Sequence, residues 1–353
     1  MTRAMLPIMR NLLIPVLLLG VSAHAQWAIQ DSHTTADLRG VHSLGKGVAW
    51  AGGTKGTVLR TVDGGSNWRV CAVPPGAEKL DFRAIQGLGK DTAFAMSAGA
   101  GDLSRVYKTS DGCRTWKLVF SNPDKTGFWD GLQFATPKFG VLIGDPVNGK
   151  LQMFISTDAG ETWKRREDGG LVVRAQKESM FAASNTSLAV LDNGKRFLLL
   201  TGGSVSSVYS GVPMGAYKAA PVPLSTGDSA GGFSIAAKGL TVISVGGDYK
   251  KPEERAGTAA ILVGARWRLS KQQPSGYRSA VAWFPEANAW IASGPSGTDL
   301  SRDNGDTWTP LKPTGRDAAA ADRNWNALSP PFAVGPNGRI GKFSGPVANP
   351  AGL

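Results

Sequence analysis

Three histidines and two cysteines are all that the 353 residues offer a transition metal. Cys71 and Cys113 alone cannot build a four-ligand zinc site. His24 falls in a leader-like N-terminus, which leaves His33 and His42, too few for a multi-histidine centre or for a Ser-His-Asp triad with histidines to choose from. No Gly-x-Gly-x-x-Gly follows a strand-like run, and Gly52-Gly-Thr-Lys55 is not a phosphate-binding Walker loop. Neither a metal nor an organic cofactor is expected. Charged residues are sparse at 19%, and the basic ones are scattered, with Lys164-Arg165-Arg166 as the one cluster, so there is no stripe for a nucleic acid.

Long apolar runs are missing too, except at the start. Leu12 to Val21 follows Arg3 and Arg10, is broken by Pro15, and leads to Ala23-His24-Ala25. That is the order of a cleaved secretory leader over residues 1–25, too short for a good membrane-spanning helix. No cysteine at the cut invites a lipid. Cleavage before Gln26 leaves 37 basic against 27 acidic residues, a formal charge of +10. Such a surplus suits an acidic polymer, an anionic membrane surface or an acidic protein face, and serves solubility equally well. The expectation is an exported protein, periplasmic or secreted, monomeric, with no transmembrane segment after the leader.

What is abundant is glycine, 46 residues, and tryptophan, 11. Both fit many short strands joined by tight turns. A motif recurs as Thr61-Val-Asp63-Gly-Gly65-Ser-Asn-Trp68, Thr109-Ser-Asp111-Gly-Cys113-Arg-Thr-Trp116, Ser156-Thr-Asp158-Ala-Gly160-Glu-Thr-Trp163 and Ser301-Arg-Asp303-Asn-Gly305-Asp-Thr-Trp308. The aspartates are spaced by 48, 47 and 145 residues, so two copies have decayed before the last. A second marker, large apolar, variable, small, opens each unit: Leu38-Arg39-Gly40, Phe82-Arg83-Ala84, Trp129-Asp130-Gly131, Phe181-Ala182-Ala183, Phe233-Ser234-Ile235 (small residue lost), Tyr277-Arg278-Ser279 and Trp325-Asn326-Ala327. A third marker is a glycine closing the second apolar run, from Gly52 to Gly335, again seven times. Four short β runs per unit of about 48 residues predict an all-β, seven-bladed propeller filling residues 26–353 as a single domain. The last unit has three strands, and Trp27 to Gln30 is expected to supply its fourth, pairing with Ile340–Phe343 and removing an exposed edge.

The recurring motif is an Asp-box. Its aspartate can accept from the turn's own N–H groups and its glycine allows positive φ, so Asp63, Asp111, Asp158 and Asp303 read as structural rather than catalytic. Asp303-Asn-Gly-Asp306 lacks the ligand count of a calcium loop. Asp-boxes occur in sialidases, sortilin-type receptors, xyloglucanases and the photosystem II stability/assembly factor family. The whole mature chain resembles the bacterial exported relatives of that last family, often labelled oxidoreductases. Beyond the Asp-boxes the resemblance rests on Phe128-Trp-Asp130, Gly144-Asp-Pro146, Phe181-Ala-Ala-Ser184, Thr201-Gly-Gly203, Gly246-Gly-Asp-Tyr249, Gly276-Tyr-Arg-Ser279 and Gly294-Pro-Ser-Gly297. It implies a seven-bladed propeller that binds a protein partner without turning over a substrate. Units four and five depart from it in having no legible Asp-box, and nothing in the sequence points to photosynthesis, so no particular partner is carried over.

Strands in a blade alternate in direction, which puts the start of the first strand and the end of the second on one face, opposite the Asp-box turns. Arg39, Arg83, Asp130, Arg278 and Asn326 are therefore expected at the channel mouth as ligand-binding residues, the three arginines converging on one level. Asp145, Asp248 and Glu178 are expected on the same rim. Two functions compete. One is a binding or assembly module for a protein or acidic ligand, its arginines holding a carboxylate or phosphate. The other is a sialidase-like or other glycoside hydrolase, with a carboxylate pair drawn from Asp130, Asp145, Glu178 and Asp248. The absence of a Phe/Tyr-Arg-Ile-Pro segment and the count of seven units favour the first. A ring of self-satisfied salt bridges plugging the channel is the structural alternative. Cys71 and Cys113 lie near the Asp-box face in neighbouring units. Export permits a disulfide, but the sequence leaves it open and leans toward free thiols, because a bridge needs Cα atoms within about 7 Å.

Overall fold

The computed structural model describes residues 26–166, 171–315 and 317–345; the leader expected over residues 1–25 lies outside them. Seven antiparallel sheets form a closed ring, each inner strand touching the next. Blade 1 comprises Leu38–Gly45, Val48–Gly53, Val58–Thr61 and Arg69–Val70. Blades 2, 3, 5 and 6 repeat the plan from Phe82–Gly87, Trp129–Thr136, Ala230–Lys238 and Ala280–Phe284. Blade 4 has a short inner strand, Leu188–Leu191. Blade 7 takes Ala327–Ser329, Phe332–Val334 and Ile340–Phe343, and its fourth strand is Trp27–Gln30, with Trp27 opposite Phe343 and Gln30 opposite Ile340. The expected closure is thus met residue for residue. Three short 3-10 turns are the only helical elements among the described residues.

The alternation of apolar side chains on each strand makes seven hydrophobic clusters, one per blade interface. There is no central core, because the axis is a channel. The tryptophans that close the recurring motif fill these interfaces: Trp68 between blades 7 and 1, Trp116 between 1 and 2, Trp163 between 2 and 3, Trp308 between 5 and 6. Burying such a ring contributes on the order of 3 kcal/mol.

Each recurring turn sits between a third and a fourth strand and is wired internally. Thr61 Oγ1 donates to Asp63 Oδ1 at 2.9 Å and accepts from Gly65 N–H at 3.0 Å, while Asp63 takes Asn67 N–H and Nδ2–H. The same contacts recur around Asp111, Asp158 and Asp303. These hydrogen bonds hold the Asp63 carboxyl down at about 2. The glycine is needed twice over: its φ is positive (+86° at Gly65), and a Cβ there would come within 2.7 Å of Gln30 and Phe332 of the preceding blade.

At the equivalent position the second turn has Cys113, at φ +66°. Its Cβ points into blade 1, where Cys71 directly follows the outer strand, and the two are joined in a disulfide with Cα atoms 5.4 Å apart. The leaning toward free thiols is corrected by this geometry: where three turns touch the preceding blade with a hydrogen atom, the second touches it with a sulfur.

Candidate functional site

A cavity of about 550 Å³ opens at the face where the inner strands begin. What aims side chains into it is a bulge. Register shifts fall between Leu38 and Gly40, Phe82 and Ala84, Trp129 and Gly131, and Gly232 and Ser234. The extra residue of each bulge, Arg39, Arg83, Asp130 and Phe233, is turned to the cavity. The small residue after it is obligatory where strands crowd: a Cβ on Gly40 would lie 2.8 Å from the Arg83 carbonyl oxygen.

The site brings together five of the expected residues, Arg39, Arg83, Asp130, Asp145 and Asn326, and leaves out three. Arg278 is fully buried within blade 6. Its Nε donates to Asp299 Oδ2 at 2.7 Å, Nη2 also meets Asp299, and the remaining donors go to Ser275, Ser296 and the Tyr277 carbonyl. The arginines therefore do not converge as three. The cause is a register slip of one residue. Arg278 N–H bonds Gly246 O as Leu38 N–H bonds Gly335 O, so Arg278 occupies the anchor position of Leu38, and Ser279 is the residue facing the cavity. Blade 5 is displaced likewise: Gly232-Phe233-Ser234 keeps the small residue that the alignment on Phe233 seemed to lose. Glu178 is buried, accepting from Thr201 Oγ1, Tyr209 OH and Arg174 N–H. Asp248 turns to Ser229 Oγ and Lys250 N–H. Neither lines the cavity.

The floor was not anticipated. Phe181 to Ser187, expected to open a regular fourth unit, instead crosses the channel and plugs it. Ala182 O accepts from Arg83 of blade 2 at 3.3 Å, Ser184 Oγ donates to Ser279 O of blade 6, Asn185 pairs both ways with Leu132 of blade 3, and Thr186 Oγ1 donates to Ser234 of blade 5. Asn185 turns the segment at φ +64°, a conformation asparagine tolerates.

The walls differ in kind. Blades 1 to 3 give charge. Arg83 is paired with Asp81 at 2.8 Å, but Arg39 makes no ion pair or side-chain hydrogen bond among the described residues, and its buried Nε has no partner. Burial and then the Arg83 cation lower its pKa, against the weaker pull of Asp81 and Asp37. Asp130 is buried, with Oδ2 unpartnered; burial, and then the charge of Asp145, pushes it well above the usual carboxylate range. Burial also pushes Asp145 up to about 6, although Met180 N–H donates to it. Asn326 donates to Leu38 O. Blades 4 to 6 give aromatic surface: Phe181 stacks on Phe233 at 4.1 Å, Tyr249 meets both edge-on, and buried Tyr277 meets Phe233. This wall was missed, yet its signal was present: Phe181, Tyr249 and Tyr277 all belong to the stretches quoted above for the resemblance, and the fold gathers all of those stretches but Thr201-Gly-Gly203 around one cavity.

No family model and no curated protein sequence matches the chain. Solved structures do. One is described as YCF48 bound to D1 peptide, with a TM-score of 0.62 and 15% identity, covering 91% of this chain and 97% of that one. YCF48 from Cyanidioschyzon merolae gives 0.60 and 19%, over 90% and 99%. A GH74 xyloglucanase from Xanthomonas campestris gives 0.65 and 16%, over 90% of this chain but 53% of its own, so this chain spans about half of that enzyme. The likeness is one of fold. No helix among the described residues is long and apolar enough to cross a membrane, and none of their His, Cys, Asp and Glu side chains cluster as a metal site.

Proposed function

We propose that the protein is an exported, non-catalytic recognition propeller whose channel mouth takes an acidic group on a partner protein. One observation carries this reading: Arg39, bonded to no carboxylate although Asp81 and Asp37 attract it from a distance, stands beside Arg83 and opposite an aromatic wall. Two neighbouring guanidinium groups repel each other until an anion lies between them, and the forked donors suit a carboxylate. The aromatic side offers apolar surface to whatever precedes that group. The structural neighbour described as bound to a peptide agrees with a protein ligand. The recurring turns are read as Asp-boxes that hold blades together, since their carboxylates are used within their own turns. A Cys71–Cys113 bond suits export to an oxidising compartment, and N-terminal sequencing of the exported protein should begin at Gln26.

Glycoside hydrolysis is the second reading, favoured by the raised pKa values of Asp130 and Asp145. Two carboxyl groups must flank the scissile bond, but these two stand on adjoining strands of one blade, Trp129–Thr136 and Phe139–Val147, and the facing wall is aromatic.

The test is binding of an acidic peptide panel by fluorescence anisotropy, with a glycoside panel alongside. Arg39→Leu should weaken peptide binding by about 2 kcal/mol or more without lowering Tm, because no intramolecular partner is lost. Arg83→Ala should weaken it too, and Arg83→Lys should restore little. Peptide binding that survives Arg39→Leu, or glycoside turnover abolished by Asp130→Ala, would overturn the reading.

A further inference from the structure

Below the plug the channel opens again, as a separate chamber of about 340 Å³ reached from the opposite face. It is bounded by one to three residues from the inner strands of blades 1, 2, 3, 4 and 7, a depth of at most about 7–10 Å at 3.3 Å per residue, and it is closed above by Ser184, Asn185 and Thr186. No Asp, Glu, Lys or Arg lines it. Its polar groups are the imidazole of His42, the carboxamides of Gln86 and Gln133, and the hydroxyl of Ser329; Val41, Phe134, Val190 and Leu328 give it apolar patches.

The hydrogen-bonding capacity there is not used up. Gly87 N–H donates to His42 Nδ1 at 3.1 Å, so the ring proton sits on Nε2. Burial keeps the ring neutral, its pKa pushed down to about 4. Gln86 Nε2 lies 3.3 Å from His42 Nε2, a donor facing a donor; exchanging the nitrogen and oxygen of the carboxamide pairs the ring N–H with Oε1 and turns the NH2 group to the chamber. Gln133 Nε2 is spent on the carbonyls of Asn185 and Leu188, while its Oε1 accepts nothing among the described residues. Ser329 Oγ accepts from Ser43 N–H and keeps its own proton. Donors and acceptors of both kinds, all uncharged, therefore stand beside apolar side chains.

We propose that this lower chamber is a second binding site, for an uncharged sugar unit. An ion would lose its hydration without gaining a counter-charge, and a purely apolar ligand would strand the carboxamides. A pyranose meets both demands, with hydroxyls at its rim and C–H groups on its faces. The shallow, blind shape admits a compact ring and excludes a threaded chain. The site shares no lining residue with the mouth above, so it does not depend on the reading of Arg39.

The experiment is saturation-transfer and protein-observed NMR on the mature protein with glucose, galactose, xylose, N-acetylglucosamine and cellobiose, set against glucuronate, glucosamine and triglycine amide. At least one neutral sugar should bind saturably with a Kd in the millimolar range. Gln86→Leu and Ser329→Ala should each weaken it, the former by about tenfold or more, and Arg39→Leu should leave it unchanged. Ser329→Ala keeps the test open if Gln86→Leu does not fold. No saturable neutral sugar up to about 50 mM, equal binding of glucuronate or triglycine amide, or indifference to both chamber variants would overturn the proposal.

Discussion

Blades 1 to 3 and blades 4 to 6 hold their places in the ring by different chemistry. On the regular side, a basic residue near the end of the third strand of blades 1, 2 and 7 reaches across to the next blade's recurring turn: Arg60 to the Gly112 carbonyl, Lys108 to that of Ala159, and Lys342 to that of Gly64. The anchor residues are Leu38, Phe82 and Trp129, all buried. On the irregular side the anchors are Gly232 and Arg278, blades 4 and 5 have no recurring turn, and strands Glu178–Ser179 and Gly202–Gly203 instead join the sheet of blade 5. Loss of the recurring turn in blades 4 and 5 coincides with the plug and with most of the aromatic wall, while blade 6 keeps its turn and adds Tyr277. Freed from the turn's geometry, that side carries the irregular features that make the channel a pocket.

Five variants test this contrast. Arg278→Leu should cost most, about 3–5 kcal/mol in urea denaturation, because Asp299 is left buried and unpaired; a loss under about 1 kcal/mol would mean that the polar anchor is dispensable. Next is the disulfide of the regular side. Cys71→Ser with Cys113→Ser should cost about 2–4 kcal/mol, and Cys71→Ser with Cys113→Gly about 1 kcal/mol less, since glycine suits the left-handed backbone at that position. Equal losses would show that the positive φ carries no strain.

Asp145→Asn has a smaller, pH-dependent effect. Burial raises the folded pKa from 3.8 to about 6, so the folded state holds this proton more tightly than the unfolded chain does. Its stabilising contribution is complete below about 3.8 and disappears as pH rises through about 6. The variant should therefore melt about 1–3 °C higher than wild type at pH 7.5 and level with it at pH 4; a gap that widens on acidification would refute the assignment. Binding of an acidic peptide should weaken over the same window in wild type and stay flat in the variant. Smallest is Asp63→Ala, an exposed turn residue, which should lower Tm slightly and leave peptide binding unchanged; lost binding at constant Tm would move the site to the opposite face.

The ring and its closure were legible because period and strand count are local patterns repeated many times. Arg39, Arg83 and Asp130 were legible because each follows a large apolar anchor on a regular blade. Arg278 was misplaced for a reason within the same rule: Tyr277 is large and apolar, but Arg278 is itself the anchor, and one residue of slip reverses which face a side chain takes. Glu178 and the plug lie in the blade where the repeat has decayed, so no neighbouring unit supplied a template. The disulfide depended on the direction of one Cβ vector across a blade interface, which spacing along the chain does not encode.

The pairing of Trp27–Gln30 with Ile340–Phe343 also sets an order of events. Trp27–Gln30 belongs to the last blade finished, so it must wait for the more than 300 residues that separate it from its partner strand, about 15–60 s of synthesis at ordinary elongation rates. During that interval Trp27 lacks Trp325 and Phe343, the rings it rests on in the finished ring, and the third strand of blade 7 has not been made. Until Ile340–Phe343 is in place, that strand has neither its hydrogen-bonding partner nor the rings that bury Trp27.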